Sequence, residues 1–335
     1  VARRAWSDEL LALLDIDRAL LPDAVESIDA TGALLPELAR RWNVPEGIQV
    51  YGGGGDAVIQ TTAMGLIDPG PVGFTIGTAG IVAGGAASCP HIPSGRVQVS
   101  CGNGPGRWHV MGVSLSAGGA FQWLRDALAP VATADPVSFE KLVALAKDIR
   151  PGAEGVLFLP YLLGERSPNL APEASASWVG LTPMHHLGHL ARSVLEGVLL
   201  NMREILEVCR QAGLECDRVV ASGGATSETL WLQMLADVLG RETVTVTGAT
   251  EGGAYGAALA TGVASAIGAA WTRPCQASAW SARSSRTRRP PAPTTPSSPG
   301  TAHCTTDSGR STPPRRRDGA VVQGGGLRPR RHPGR

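Results

Sequence analysis

Asp56 follows four consecutive glycines, Gly52 to Gly55, and precedes a run of small and apolar residues with helical spacing. A carboxylate at a glycine-rich strand-to-helix turn stands at a cleft edge. There it can accept the proton of a hydroxyl that attacks phosphorus, the one proton-transfer task in phosphoryl transfer. On spacing alone, an equal reading is a cap on the helix that follows. Two glycine turns, Gly77-Thr78-Ala79-Gly80 and Ser222-Gly223-Gly224-Ala225, let backbone N–H groups come close to an anion, with an adjacent helix N-terminus adding a favourable dipole. Both suit a phosphate, and neither has the spacing of GxxxxGK[ST] or of GxGxxG at a β-to-α turn. With 43 glycines in the chain, each turn taken alone is more simply read as an ordinary tight turn.

His185, His186 and His189 have helical metal-ligand spacing, but no cysteine or acid in the sequence completes the set. A solvated helix face is the simpler reading, and no metal ligand is assigned. Trp178 and Trp231 read as core aromatics. The six cysteines (Cys89, Cys101, Cys209, Cys216, Cys275 and Cys304) show no CxxC spacing and are too sparse for a disulfide framework, which fits free thiols in a reducing compartment.

The elements that must position these residues follow from periodicity. Helical spacing covers 6–14 and 34–42, a strand ends at 50–51, and a small-residue helix runs over 57–65. Two β runs within 71–84 are joined at the first glycine turn, and a third strand covers 108–115. A helix over 118–128 is followed by a buried run at 155–163 and a long amphipathic helix over 189–212. Strands at 218–221 and 243–246 enclose a helix over 228–239, and a small-residue helix closes the series at 253–262. A hairpin followed by alternating β and α elements predicts an α/β layer fold.

The chain has 335 residues, 43% of them apolar, enough for one large or two ordinary domains. The net charge of +1 conceals a division. Residues 272–335 carry 13 arginines, no lysine, two acids and 10 of the 25 prolines, whereas 1–271 carry a balance of −10. The basic segment has too little apolar surface to offset chain entropy and reads as a disordered Arg/Pro-rich tail. No window approaches the roughly 20 apolar residues of a membrane span, and the start of the chain lacks the apolar stretch of a signal peptide. A soluble, cytoplasmic protein with no membrane partner is expected.

The ordered set of motifs resembles the FGGY family of carbohydrate kinases, most closely its xylulokinase-like branch. The resemblance is carried by Ala176-Ser177-Trp178-Val179-Gly180-Leu181 followed by His189-Leu190-Ala191-Arg192-Ser193-Val194-Leu195-Glu196, which fit the family's second signature. Around it stand Phe158-Leu159-Pro160-Tyr161-Leu162-Leu163-Gly164-Glu165-Arg166-Ser167-Pro168 and Ser116-Ala117-Gly118-Gly119-Ala120-Phe121-Gln122-Trp123-Leu124. It extends over 1–271 and implies an actin-like (ribonuclease-H-like) ATPase domain with a mixed sheet flanked by helices. By the same resemblance, 1–48 is a lead-in from the family's N-terminal sugar kinase domain and 49–271 the C-terminal nucleotide-binding domain. The remainder of the N-terminal domain is then missing, and the chain alone holds half a site.

Carried over by motif, Asp56 is the catalytic base; Gly77, Thr78, Gly118, Gln122, Gly223 and Gly224 hold the nucleotide; ATP and Mg²⁺ are the implied cofactors. The implied reaction is ATP-dependent phosphorylation of a sugar, D-xylulose giving D-xylulose 5-phosphate, with gluconate, ribulose or glycerol as other acceptors and a homodimer left open. Two departures stand out: Ser175-Ala176 where the family usually has Arg-Gly, and Ser227 where many members carry Lys or Arg. A rival reading is a non-catalytic nucleotide-binding module whose basic tail contacts nucleic acid. It is disfavoured, because the tail arginines are not interleaved with aromatics and no recognition helix is visible. The tail is instead expected to be a frameshift product. Read from each third base, the codons of 303–314 can spell Leu-Tyr-Asp-Arg-Phe-Arg-Ala-Leu-Tyr-Pro-Ala, close to the terminal pattern of such kinases.

Overall fold

The computed structural model describes residues 1–92, 94–131, 137–246 and 252–265, all within the first of two compact units, Val1–Thr287. The expectations for the tail, with Cys275 and Cys304, lie outside the described residues.

The lead-in forms helix α1 (Asp8–Leu13), strand β1 (Ala30–Ala33), helix α2 (Pro36–Trp42) and strand β2 (Gln49–Tyr51). β1 and β2 pair antiparallel as a separate two-stranded sheet. Ser7 caps α1 and a proline opens α2, both favoured entry devices. Arg4 fastens this segment to the body: its guanidinium pairs with Glu26 at 2.5 Å and donates to the carbonyls of Gly102 (3.1 Å) and Arg107 (2.8 Å). Helix α3 (Asp56–Ala63) follows the glycine run.

The central sheet has six strands: β3 (Pro71–Ile76), β4 (Gly80–Ala86), β5 (Gln98–Cys101), β6 (Trp108–Ser114), β9 (Arg218–Ser222) and β10 (Thr243–Thr245). Their order is β10-β9-β3-β4-β6-β5, parallel across β10, β9 and β3 and antiparallel across the rest. The two remaining strands, β7 (Leu157–Leu159) and β8 (Ser177–Val179), make a second short ribbon.

Period-two alternation assigns the two faces of the sheet. Val72, Phe74 and Ile76 of β3 join the main core with helices α4 (Gly118–Leu128), α5 (Phe139–Lys147), α6 (Leu187–Gln211) and α7 (Thr229–Leu239). On the other face Met64 and Leu66 pack with Val220 and Val244 beneath α3 and helix α8 (Gly252–Ala264). α6 lies so close to the sheet that a Cβ on Gly80 would meet Met202 at 3.1 Å. α8 presses equally hard on α3, where Gly256 faces the Ile59 carbonyl.

The elements read from periodicity are present with small shifts. β1, β5, β8 and α5 were not anticipated, and the long helix starts at Leu187 rather than 189 because His186 caps it. Its ring accepts the Gly188 N–H at 3.2 Å, and the His189 ring accepts the His186 N–H at 3.2 Å. The expectation of a solvated histidine face therefore fails at His189, which is 4% exposed and lies 3.5 Å from the Glu154 carboxylate. No helix among the described residues is long and apolar enough to cross a membrane.

Candidate functional site

Because β3, β9 and β10 run parallel, the chain leaves all three at one end of the sheet, which brings both glycine turns together there. Between them lies a cavity of about 340 Å³. The hairpin tip supplies Gly77 and Thr78, the start of α4 supplies Gly118, Phe121 and Gln122, and the 3₁₀ turn Gly224–Ser227 with the start of α7 supplies Gly224, Ala225, Ser227, Glu228 and Trp231. Gly77, Thr78, Gly118, Gln122 and Gly224 thus line one wall system, and Gly223 precedes Gly224 at its edge.

The glycines have distinct roles. Gly223 has φ +90°, and a Cβ there would meet the Ile76 carbonyl oxygen at 2.6 Å, so glycine is required for the β9 end to pass the β3 end. A Cβ on Gly224 would meet nothing within 4 Å. Its open side is space a ligand can use.

The N-terminus of α4 acts differently from the expectation. The N–H groups of Ala117, Gly118 and Gly119 donate to Thr78, Gly77 and Thr78 carbonyls at 2.9, 2.8 and 3.0 Å. They are spent on clamping the hairpin tip, so the helix dipole holds the turn instead of meeting an anion directly. Gly118 permits this approach, since its Cβ would lie 2.6 Å from the Gly77 oxygen.

The far end of the cavity is aromatic. Phe121 stacks on Phe139 at 6.0 Å and meets Trp231 edge-on at 6.3 Å, while Arg125 covers the outer face of Phe139 at 4.3 Å. Trp231 is 4% exposed, so it is a core aromatic and a cavity wall at once. Two carboxylates, Glu140 and Glu228, face the same space. The Ser138 hydroxyl, and then a backbone N–H, hold Glu140 below its ordinary carboxylate value. Such a cavity offers flat apolar surface at one end and glycine backbone at the other, the combination a nucleotide needs.

Phe139, Glu140 and Val143 on α5 escaped the sequence reading. The signal was present as Ser138 before Phe139, Leu142, Val143 and Ala146, an N-cap followed by helical apolar spacing, with Ser138 accepting the Lys141 N–H at 3.2 Å.

Asp56 does not line this cavity. Gly55 is the N-cap of α3 and Asp56 its first helical residue, exposed, with Oδ1 accepting the Ala57 N–H at 2.7 Å. β10 ends seven residues before Gly252, and the first residues of α8 touch Ile59 and Gln60. The first turns of α3 therefore lie at the same sheet end as the glycine turns but on the opposite face. Asn103, 3% exposed, holds this start by donating to the Val58 carbonyl at 3.0 Å and accepting from the Ser27 hydroxyl at 3.1 Å. No group of three or more His, Cys, Asp or Glu among the described residues could hold a metal ion.

The signature residues around α6 serve packing. Arg192 pairs with Glu196 at 2.6 Å, both nearly buried, and Glu196 accepts the Gly152 N–H at 3.0 Å. Gly197 gives the Phe158 carbonyl room to approach.

Comparison with known proteins gives two family matches. The model for the C-terminal domain of the FGGY family of carbohydrate kinases matches residues 74–265, and the model for its N-terminal domain matches residues 1–65. The xylulose kinase of Klebsiella pneumoniae is 38% identical over 258 residues, covering 77% of this chain and 52% of that protein. The gluconokinase of Bacillus licheniformis is 31% identical over 254 residues, 72% of this chain and 48% of that protein. Among solved structures, the xylulose kinase from Rhodospirillum rubrum superposes with a TM-score of 0.72 at 32% identity over 80% of this chain and 53% of that one. The chain spans about half the length of the curated relatives it matches.

Proposed function

Since this chain belongs to the FGGY family of carbohydrate kinases, we propose that it carries the nucleotide-binding part of an ATP-dependent sugar kinase whose acceptor is D-xylulose. The observation that carries this reading is the cavity in which the two glycine turns meet an aromatic slot. The base would stack against Phe121, Phe139 and Trp231, and the phosphates would run toward Thr78 and the open side of Gly224. Catalysis in such a transfer is mostly positioning, with one proton to remove from the attacking hydroxyl. Asp56 is the proposed acceptor of that proton, reached when the sugar bridges the sheet end between the cavity and α3. The described residues gather no carboxylate cage for Mg²⁺, so the triphosphate itself would carry the ion.

The acceptor rests on the xylulose kinase relatives, and the gluconokinase relative makes gluconate the competing acceptor. The test has two parts. ADP titrated into the chain should bind at the cavity, and Gly224→Val should weaken it. Sugar transfer is then assayed with D-xylulose and gluconate in the chain supplied with the N-terminal half of the Klebsiella relative. Asp56→Ala should lower kcat about 100-fold or more, the scale for a positioned base, with ADP affinity unchanged. A variant with normal kcat would remove Asp56 from the mechanism, and preference for gluconate would reassign the acceptor.

A further inference from the structure

A second concavity, of about 250 Å³, lies on another side of α4 from the nucleotide cavity. Whereas Phe121 and Gln122 face the first cavity, Trp123 faces the second, together with Phe158, Tyr161, Leu162, Ser175 and Trp178. The rings form a continuous wall: Trp123 and Trp178 lie 5.7 Å apart, Phe158 and Trp178 4.8 Å. Trp123 is 38% exposed although it is the largest side-chain type available, so its face is offered to whatever enters. The Trp178 indole N–H is already spent on the Ser193 hydroxyl at 3.0 Å, leaving its π-face as the contact surface.

The charge behind this wall is one-signed. The Tyr161 hydroxyl interacts with the Glu165 carboxylate and with Asn201, and burial first, then Glu165, pushes it up to about 12. Glu165 is 6% exposed, takes the Tyr161 hydroxyl and a long 3.4 Å bond from the Asn201 amide, and has no ion-pair partner among the described residues. The Asn201 carbonyl oxygen, also buried, has no hydrogen-bond partner among the described residues. Glu204 adds a further negative charge acting on Tyr161. A buried carboxylate without a cation is costly, and two other partly buried rings, Trp108 and Phe139, carry arginines of the protein's own, Arg4 and Arg125. The Trp123–Trp178 wall has no such cover among the described residues.

We propose that this pocket is a binding site for a guanidinium group, stacked on the Trp123 and Trp178 faces, with Glu165 balancing its charge through Tyr161. Guanidinium fits better than ammonium: it is planar, weakly hydrated and stacks on aromatic rings, whereas an ammonium ion is a compact, strongly hydrated point charge. The site is independent of the nucleotide reading.

The test titrates the chain with ethylguanidinium chloride at constant ionic strength, with ethylurea as the neutral planar control and a capped arginine amide as the side-chain probe. The readout is the tryptophan fluorescence that Trp123→Leu removes. Saturable change with ethylguanidinium or the capped arginine, half-complete at a few millimolar (about the strength of stacking on two rings beside a carboxylate), is expected, with none for ethylurea. Binding of the capped arginine assigns the site to a polypeptide side chain, and binding of ethylguanidinium alone to a small free guanidino compound. Glu165→Gln should weaken the probe at least about fivefold, in line with loss of the nearby charge. Should that variant fail to fold, Ser175→Arg at the pocket mouth supplies the group internally: it should abolish probe binding and raise Tm by about 2 °C or more. No saturable signal, an equal response to ethylurea, or unchanged probe affinity in Ser175→Arg overturns the proposal.

Discussion

Gly223 and Gly224 are neighbours of one type with opposite demands, which makes them separable by experiment. Gly223→Ala puts a Cβ against the Ile76 backbone at a φ of +90°, so it should cost about 2 kcal/mol or more of folding stability, read as a lower urea midpoint. Gly224→Val enters open space and should leave the midpoint in place while weakening ADP about tenfold or more, because its branches occupy volume meant for the ligand. At His109, burial alone pulls the imidazole down to about 4, and its Nε2 has no hydrogen-bond partner among the described residues. The unfolded chain takes up this proton near pH 6.5 and the folded chain does not until about 4. His109 therefore contributes stability in full above 6.5 that is lost as pH falls toward 4, about 3 kcal/mol over that window at 1.4 kcal/mol per unit. Urea midpoints of the native chain and of His109→Gln, compared at pH 7.5 and 4.5, should differ by that slope.

Two helix contacts test which elements serve the cavity and which serve only the fold. α8 rests on α3 through Gly256, whose Cβ would strike the Ile59 carbonyl, so Gly256→Val should force the helices apart and lower Tm by several degrees, on the scale of an overpacked core. ADP affinity should stay near the native value, since neither helix lines the cavity. Gly118→Ala acts on the α4 clamp instead, pushing the Gly77 carbonyl from the helix start. It should weaken ADP as well as lower Tm, and calorimetric titration of both variants separates the two outcomes. α5 shows how an element escapes a sequence reading: its nine residues are short, and its function depends on Phe139 meeting Phe121 from a distant helix.

For the whole molecule, the described residues that line the proposed nucleotide cavity all lie between Ile76 and Trp231. Removing 272–335 should therefore leave ADP affinity unchanged within about twofold, as expected for terminal segments that contribute nothing to a site. A larger loss would place part of the nucleotide site in that segment. The lead-in is a different matter, because Arg4, held by Glu26, and Ser27 bond across to the 102–107 loop that holds α3. Deleting residues 1–30 should lower Tm and loosen the Asp56 helix, seen as faster amide exchange at Val58 to Thr62.

By itself the sequence determined the order of the main elements and the identity of the glycine turns, because both are local. Amphipathic period specifies α4, α6 and α7, and a glycine run reports its own backbone freedom. Asp56 was legible as a carboxylate at a helix start, which is where it stands, while its standing across the sheet from the cavity was not. Chain folding in three dimensions set the α4 N–H groups on the hairpin tip, brought Phe139 and Glu140 to the cavity, and buried Glu165 with no cation beside it among the described residues. The physical reason is common to all three. Each depends on groups far apart in the chain meeting through strand order and helix packing, and no periodicity along one segment carries the distance between two.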